Sequence, residues 1–518
     1  MFHGIHSSRP GARLTNETTP GYFSPTMRRI PAIVVVLVLA STAHAQDDYD
    51  FDLFGQWRYI VSHSGDFPLN SLDDKSGLNL YVDQRLQVGT VQPVTKYLEF
   101  TGELEIFYGQ VYGDHDNVGA YLRDDERTTL RGWDLKEAQV RQLWIRWDLP
   151  WFQLRAGQMK SDWGLGMLAN GGDHKPGRFG FPDQGDLSDR VLLATRPFAW
   201  EGGWLSKVVT AVGGGVVYRD ENCNLRDGDV GGEVIASIFY RDEGINTGLY
   251  VAGRIQNDSD DTFLNVAAVD LLFSVDAGPG HQGLVVATEM ALLAGKTDRL
   301  IHADHLDGVD LLAFGAVARA GWRFGFMEFL PTVEFGFASG DADPHDDTVT
   351  AFSFDPDYKV GLVLFDTVLR GVSAMAAAEA ADPERIGEPL PGTDMLPTKG
   401  RVSGAIYLNP TIQIQPLDQL TVMAGFLYAW SAVPFAQSYQ TFENGGVNTN
   451  LYGLQDPSRD LGYEIDVGLE WNQEIFGDLR AVAGVQAGWF FPGSAFDRPD
   501  GTRPDTIMRI LGRAMIAW

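Results

Sequence analysis

The sequence lacks the features that stabilise or anchor many exported proteins. Cys223 is the only cysteine among 518 residues, so no internal disulfide can form, and it lies too far from the amino-terminal segment to carry a lipid anchor. After residue 45, no window offers the roughly 18 uncharged apolar residues that a membrane-spanning helix needs. Basic charge is also scarce: 40 Lys and Arg stand against 69 Asp and Glu, a formal net charge of −29. This excess of acid argues against nucleic acid and anionic membrane surfaces as partners.

The amino-terminal part of the chain carries an export signal. A basic and then apolar segment follows Met27 and ends at a small-x-small motif at 43–45, a pattern typical of a cleaved secretory signal peptide. We therefore expect residues 1–45 to be an extension and signal peptide, with translation starting at Met27. Residues 46–518 are predicted to form a single domain. If that domain enters a membrane it must do so as a closed barrel, because only helices and closed barrels satisfy every backbone group in lipid.

The last 13 residues have the pattern of a strand between lipid and water. Counting back from Trp518 in steps of two gives a face without charge, and the alternate face carries Arg509 and Arg513. A strand places successive side chains on opposite faces. The pattern favours the closing strand of a membrane barrel, and the alternative is an edge strand of a soluble sheet.

The same alternation recurs along the whole chain and predicts 18 strands. An even number is typical of bacterial single-chain barrels. The fold predicted is therefore all-β, a transmembrane antiparallel barrel of about 18 strands. The predicted segments are 54–63, 77–90, 95–110, 136–148, 151–160, 188–198, 206–219, 230–241, 246–256, 262–276, 282–295, 309–323, 327–339, 400–415, 418–433, 459–472, 479–491 and 505–518.

Short and long connections alternate between these segments, which predicts short periplasmic turns and long extracellular loops. The longest connection, 340–399, contains an apolar stretch at 358–369, strand or short helix, and a helix-like stretch at 374–381. It can fold inward or stay outside, and the sequence leaves both open. The short connections predicted are 91–94, 149–150, 242–245, 324–326 and 416–417, and the long ones are 111–135, 161–187, 340–399 and 434–458.

Charged residues fall on the strand face that alternates with the apolar one. In segment 459–472, for example, the apolar face runs from Leu461 to Trp471. An 18-stranded cylinder is too wide for side chains to fill, so a charged interior predicts a water-filled channel. The charges could create a field that screens solutes, or pair across strands and stiffen the wall. The predicted pore-lining residues are Arg85, Glu99, Glu103, Arg141, Arg155, Arg254, Arg319, Arg323, Glu464, Asp466, Arg480, Arg509 and Arg513.

No metal, cofactor or catalytic site is predicted. The acidic run at 341–347 has the oxygen density of a Ca²⁺ site but lacks the EF-hand spacing and closing Glu. We interpret it as a solvated loop, with Ca²⁺ bound by Asp341, Asp343, Asp346 and Asp347 as the alternative. No nucleophile motif or phosphate-binding loop occurs, and the mature histidines fall in loops, turns or strand ends, which argues against an enzyme.

Three patches resemble the alginate-export outer-membrane porins. They are the Arg- and Trp-rich stretch 139–147 with the following Gln153-Leu-Arg-x-Gly157, the acidic pair Glu464 and Asp466, and 488–493 with the closing strand. The resemblance implies an 18-stranded monomeric barrel that passes an acidic polysaccharide outward. It also implies that Arg141, Arg155 and Arg509 line the pore and that the acidic pair are their partners.

Two departures weaken the polysaccharide assignment. After Gly157 the family continues with another arginine, whereas this chain has Gln158-Met159-Lys160. The family also has a long periplasmic segment near its carboxyl-terminal end. In this chain the corresponding connection, 473–478, is short. We predict a passive channel of the Gram-negative outer membrane, surrounded by lipid and monomeric. Its solute is an anionic polysaccharide or, as alternatives, small solutes; a barrel scaffold that binds partners through acidic loops is the third hypothesis.

Overall fold

The computed structural model describes residues 52–77, 80–113, 134–136, 138–173, 177–182, 185–276, 278, 280–299, 307–342, 346–381 and 398–518. All of them fall within the unit Phe51–Trp518. The predicted signal peptide and the start at Met27 lie outside these residues and stay predictions.

Eighteen strands of the described chain form a closed antiparallel barrel, and each of the 18 predicted segments overlaps one of them. Every strand pairs with the next along the chain, and the first closes the cylinder against the last, with Gln56 opposite Ala517. The predicted all-β transmembrane barrel is confirmed. The strands are β1 (Asp52–Ser64), β2 (Leu80–Thr95), β3 (Leu98–Gly113), β4 (Gln139–Asp148), β5 (Gln153–Lys160), β6 (Leu187–Thr195), β7 (Val208–Arg219), β8 (Val230–Asp242), β9 (Ile245–Asn257), β10 (Phe263–Asp276), β11 (Gly283–Thr297), β12 (Val309–Arg323), β13 (Leu330–Ala338), β14 (Ala405–Leu417), β15 (Leu420–Ser431), β16 (Asp460–Phe476), β17 (Leu479–Pro492) and β18 (Ile507–Ala517).

The outer surface of the barrel is apolar at mid-height. On β16, Ile465, Val467 and Leu469 are 40–49% exposed, whereas Glu464 and Asp466 between them are 0% and 1% exposed. This is the reverse of a soluble protein, in which charged side chains face outward, and it is the arrangement expected for a wall in contact with lipid.

Aromatic side chains surround the end of the barrel that carries the short turns. Trp151, Trp200, Trp204 and Phe476 are 66–83% exposed there. Tryptophan and other aromatic rings are enriched at the membrane–water interface. This end therefore marks one boundary of the apolar band.

Two predicted turns are wrong, because each lies inside a strand that contains a proline. Residues 91–94 lie inside β2, and the chain reverses later, at Lys96 and Tyr97. Residues 416–417 lie inside β14. In both strands the pairing register shifts beside the proline, at Pro93 and near Pro416, so a β-bulge accommodates the missing N–H.

The predicted lipid-facing position of Leu461 is also wrong. Leu461 is 1% exposed and packs inside the barrel. The register between β15 and β16 shifts near Trp430 and Gly462, and this bulge moves one residue to the opposite face.

A few short elements lie outside the barrel wall. Of the long-loop elements described, two are α-helices: α1 (Arg370–Ala381), which continues from a π-helical turn at Leu364–Leu369, and α2 (Ser438–Glu443). The helix-like stretch predicted at 374–381 is thus part of α1. Two short strands, Asp134–Lys136 and Thr348–Val349, add to β3 and β12. Within the described chain, no helix has both the length and the apolar character needed to cross a membrane.

The main apolar core lies inside the cylinder. Phe352, Phe354 and Phe365 from the loop 339–404 and Met167 and Phe179 from the loop 161–186 are each at most 3% exposed and belong to one cluster. Since the outer wall faces lipid, the lumen is the place where these loops can bury apolar surface away from water.

The outward position of Val467 gives a test of the membrane face. Val467→Arg places a charge on the apolar band, and we expect it to cost about 2–4 kcal/mol of barrel stability in lipid. Ile475→Arg, on the same strand beside the short turn, should cost about 0–1 kcal/mol. Guanidinium titration of both variants refolded into vesicles measures the difference, and equal costs would contradict the position of Val467 at mid-height of the apolar band.

Candidate functional site

Ion pairs connect the inward faces of β2, β3, β4 and β5. Arg85 Nε lies 2.7 Å from Glu105 Oε1, and Arg141 lies 3.4 Å from Glu103 and 3.8 Å from Glu105. Lys160 Nζ lies 3.7 Å from Glu103. The first four side chains are almost fully buried. At this height the charges therefore pair across strands, which was one of the two interpretations of the lumen charges.

A second group of predicted residues meets solvent near the short turns. Arg146 Nη2 lies 2.9 Å from Glu99 Oε2, and Arg155 donates a hydrogen bond of 2.9 Å to Gln153. Arg155 and Arg480 are both exposed. These charges border the mouth of the barrel on the short-turn side, where a solute could meet them.

Arg254 and Arg323 are paired near the ends of their strands. Arg254 Nη1 lies 2.5 Å from Asp220 Oδ2, in the loop between β7 and β8. Arg323 Nη2 lies 3.1 Å from Asp276 Oδ2, close to a short turn. The structure thus places these two predicted residues at opposite ends of the lumen.

Glu334 on β13 collects several donors at mid-height. It accepts hydrogen bonds from Arg178 Nη2 at 2.9 Å and from the Tyr407 hydroxyl at 2.8 Å, and Arg319 lies opposite it on β12. The Arg178 guanidinium also stacks on Tyr358, 4.0 Å from the ring centroid. Arg178 comes from the loop 161–186 and Tyr358 from the loop 339–404, so this wall carboxylate helps to hold both loops together.

Glu464 on β16 binds the backbone of the loop 339–404 directly. Its carboxylate accepts hydrogen bonds from the N–H groups of Leu362, Val363 and Leu364, at 2.5, 2.8 and 2.7 Å. These N–H groups precede or begin the π-helical turn, where helical donors have no partner within the helix. Gly361 makes the approach possible: its φ is 68°, and a Cβ there would lie 2.9 Å from Glu464 Oε1.

Arg509 on β18 binds the same turn from the other side. It donates hydrogen bonds to Leu362 O at 3.1 Å and Thr367 Oγ1 at 3.0 Å, and it pairs with Asp366. Burial raises the pKa of the Asp366 carboxyl, but the charges of Lys359 and Arg509 outweigh burial and hold that pKa well below its usual range. Asp366 therefore stays ionised and keeps the turn fixed to the wall.

Asp466 and Arg513 complete the predicted set. Asp466 follows Glu464 on the inward face and is 1% exposed. Arg513 pairs with Glu470 and lies over the Phe181 ring, 4.7 Å from its centroid. Both side chains therefore contact protein and not a water-filled space.

The loop 161–186 is held by wall carboxylates in the same way. Glu289 accepts hydrogen bonds from the backbone N–H groups of Leu165 and Met167, the latter at 3.1 Å. Asp270 accepts a 2.8 Å hydrogen bond from the Trp163 indole N–H. The indole–carboxylate bond and the two backbone bonds fix this loop against β10 and β11.

Sequence reasoning missed Asp270, Glu289 and also Gln486, whose Oε1 accepts the Gly180 N–H at 2.8 Å. One signal could have found them, because Asp270, Glu289 and Gln486 are isolated polar residues in the middle of otherwise apolar strands. An isolated buried acceptor implies a donor from elsewhere in the chain.

The two inward loops bind each other inside the barrel. Asp355 N–H donates to Met167 O at 2.8 Å, and Gly185 N–H donates to Asp357 Oδ2 at 2.7 Å. Of the two possibilities that the sequence left open for the longest connection, the inward one is therefore correct. Two packed loops occupy the lumen at mid-height, and 358–363 precedes the π-helical turn as irregular chain.

A chamber of about 470 Å³ remains on the long-loop side. Its wall combines apolar side chains with carboxylates and guanidinium groups, and it lies between the inward loops and the strands from β6 to β12. The charged side chains that line it are Asp186, Asp220, Glu221, Glu233, Arg254, Arg299, Asp341, Asp355 and Arg401.

The acidic run at 341–347 makes local contacts. Asp341 Oδ2 accepts the Thr350 N–H at 3.2 Å, and Asp346 Oδ1 accepts the Thr348 N–H at 2.8 Å. Asp343 lies outside the described residues. Ca²⁺ binding by this run stays an untested alternative.

The contact between Glu464 and the turn can be tested by hydrogen exchange. Glu464→Gln leaves the three N–H groups with one amide oxygen, and an unsatisfied buried N–H costs about 1–3 kcal/mol. Exchange at residues 362–364 should therefore accelerate roughly a hundredfold, since about 1.4 kcal/mol is a factor of ten. Glu470→Gln, on the same face of β16, should leave that exchange unchanged. Full protection in Glu464→Gln would disprove the contact.

Comparison with known proteins shows a likeness in fold. No family model and no curated protein matches the chain. Acinetobacter baumannii OccAB1 is 10% identical, with 91% of this chain and 97% of that one covered and a TM-score of 0.49. Pseudomonas aeruginosa OprD is 10% identical, with 92% and 97% covered and a TM-score of 0.47. Pseudomonas aeruginosa OccK11 is 13% identical, with 90% and 96% covered and a TM-score of 0.45.

Proposed function

We propose that this chain is a non-enzymatic, passive channel of the bacterial outer membrane that admits small solutes. The observation that carries the proposal is the pair of loops fixed inside a closed barrel by wall carboxylates. An 18-stranded cylinder alone would be a wide pore. The inward loops narrow the lumen at mid-height and leave a chamber on the long-loop side, which is an arrangement suited to selecting solutes by size and charge.

The chamber supports a small solute and not a polymer. Its volume of about 470 Å³ lies within the range of about 300–1,000 Å³ that small-molecule pockets occupy. Its wall offers apolar surface as well as charge, so an amphipathic organic solute fits its chemistry.

Export of an anionic polysaccharide remains the second candidate, carried by the sequence resemblance alone. The resemblance implies that Arg509 lines the pore and that Glu464 is one of the acidic partners of the pore-lining arginines. Here both bind the loop 339–404. The carboxylates of the chamber would also repel a polyanion.

The topology supports an orientation in which the short turns lie in the periplasm. The first and last barrel strands both have their outer ends, Asp52 and Ala517, on that side. A barrel whose described strands all have two neighbours leaves no sheet edge for a partner, so we propose a monomer surrounded by lipid.

Removal of the inward loop tests the channel. Phe337 and Ile406 are directly paired, so a short Gly-Ser turn can join residue 340 to residue 403. We expect planar-bilayer conductance to rise several-fold in this variant, because its packed loop no longer narrows the lumen. Liposome swelling should show that the intact chain admits glucose but excludes an oligouronate, which the deleted variant admits.

Two outcomes would change the assignment. Passage of the oligouronate through the intact chain would favour polysaccharide export. No current in either form, with folding verified by heat-modifiable migration, would refute the channel and favour a scaffold.

Charge reversal at the short-turn mouth tests selectivity. Arg155→Glu and Arg480→Glu alter exposed inward charges, so the reversal potential in a salt gradient should move towards cation preference. The control is Arg503→Glu. Arg503 is an exposed residue that pairs with Asp497 on the long-loop side, and its reversal should shift the reversal potential less. An unchanged potential in both mouth variants would place the solute path elsewhere.

A further inference from the structure

Three carboxylates from three separate loops converge on the wall of the chamber. Each of Asp186, Glu221 and Asp355 has a ligand-capable oxygen, and these oxygens lie within 4.8 Å of one another. Asp186 precedes β6, Glu221 lies between β7 and β8, and Asp355 belongs to the loop 339–404. Like charges this close repel one another strongly unless something neutralises them.

Asp355 supplies an independent sign of a missing partner. Its side chain is 3% exposed and lines the chamber. Oδ1 accepts the Asp357 N–H at 2.7 Å. Oδ2 is buried and accepts no hydrogen bond from an N–H or hydroxyl donor of the described chain. The side chain in hydrogen-bonding contact with the Asp355 carboxyl is another acid, Asp186. A buried carboxylate oxygen in this condition is costly, so it requires a cation or a proton.

The guanidinium groups on the chamber wall donate no hydrogen bond to this oxygen. Arg254 binds Asp220 through two contacts of 2.5 and 3.3 Å. Arg401 donates its Nε–H to Thr398 O at 2.9 Å. Its charge lowers the pKa of Glu221, but burial and Asp220 outweigh it, so that pKa is raised.

The pKa of each of the other two carboxyl groups in the cluster is also raised. Burial and the charges of neighbouring acids raise the pKa of Asp186 and of Asp355 well above the usual range. A bound cation would reverse this effect, because it stabilises the ionised form.

We propose that Asp186, Glu221 and Asp355 bind one hard divalent cation, Ca²⁺. The donor set consists of oxygen alone, which excludes the softer metals that prefer nitrogen and sulfur. Ca²⁺ tolerates irregular sets of 6–8 oxygens, so carbonyl groups and water from the chamber can complete its shell. The ion ties the inward loop 339–404 to the loops before β6 and after β7. This site does not depend on the proposed channel function.

The test is Ca²⁺ titration of the refolded full-length chain in detergent, after treatment with a chelator. We expect one Ca²⁺ per chain, and a rise in the unfolding temperature with Ca²⁺ because the ligand binds the folded state. Asp355→Asn and Glu221→Gln should each weaken binding by about tenfold or more, since ligand charge sets affinity. Heat-modifiable migration verifies that both variants fold.

The matched control is Asp347→Asn, in the acidic run at 341–347, and this variant should keep the Ca²⁺ affinity of the unaltered chain. Loss of binding in that variant would place the ion in the acidic run and overturn the proposal. Unchanged affinity in Asp355→Asn would also overturn it. Absence of binding at both pH 7 and pH 8.5 would show that the three carboxylates share a proton instead.

Discussion

Every backbone N–H that enters the lumen needs an acceptor, and this constraint explains the interior of the barrel. A segment that crosses the cylinder at mid-height cannot join the sheet there, because the strands of the wall already pair with two neighbours. Side chains of the wall supply many of the acceptors, and the inward loops supply others for each other, as Met167 O does for the Asp355 N–H. On the wall, Glu464 is the acceptor for Leu362, Val363 and Leu364, and Glu289 is the acceptor for Leu165 and Met167. The carboxylate is suited to this task because it offers two oxygens and no donor.

The wall therefore has two chemical regions. Between β2 and β5 its charges satisfy one another, as Arg85 and Glu105 do. From β10 round to β18, several of them, including Glu289, Glu464 and Arg509, instead bind the loops that fold inward. The difference matters for stability, since breaking a pair of the second kind releases a loop whereas breaking one of the first kind leaves charge buried within the sheet.

The fold could be predicted from the sequence because it depends on local alternation. The two-residue alternation can be recognised within each segment by itself, and both ends of β12 were predicted correctly. The errors arose where a bulge interrupts the alternation. Residues 91–94 were predicted as a turn although β2 continues through Pro93, and a bulge near Gly462 turned Leu461 inward. A β-bulge inserts one extra residue into a strand, and the two-residue alternation does not predict where it occurs.

The interior was harder to predict because its contacts join residues that are far apart. Glu464 was identified as inward-facing, yet its partner lies about a hundred residues earlier, in a loop without strand periodicity. A charged residue at an inward position of the alternation can face water or a buried N–H group, and the alternation does not distinguish the two. The convergence of Asp186, Glu221 and Asp355 likewise depends on how three loops meet, which no spacing in the chain encodes.

The pairing of β1 with β18 has a consequence for how the molecule is made. All other neighbours in the wall are consecutive along the chain, so those hairpins can form from local encounters. Closure alone joins residues near Gln56 to residues near Ala517. Long-range pairing of this kind folds slowly, since loop-closure entropy is lost before the contacts form. Until the last strand arrives, the sheet has two open edges, and the chain is most prone to aggregate during that interval.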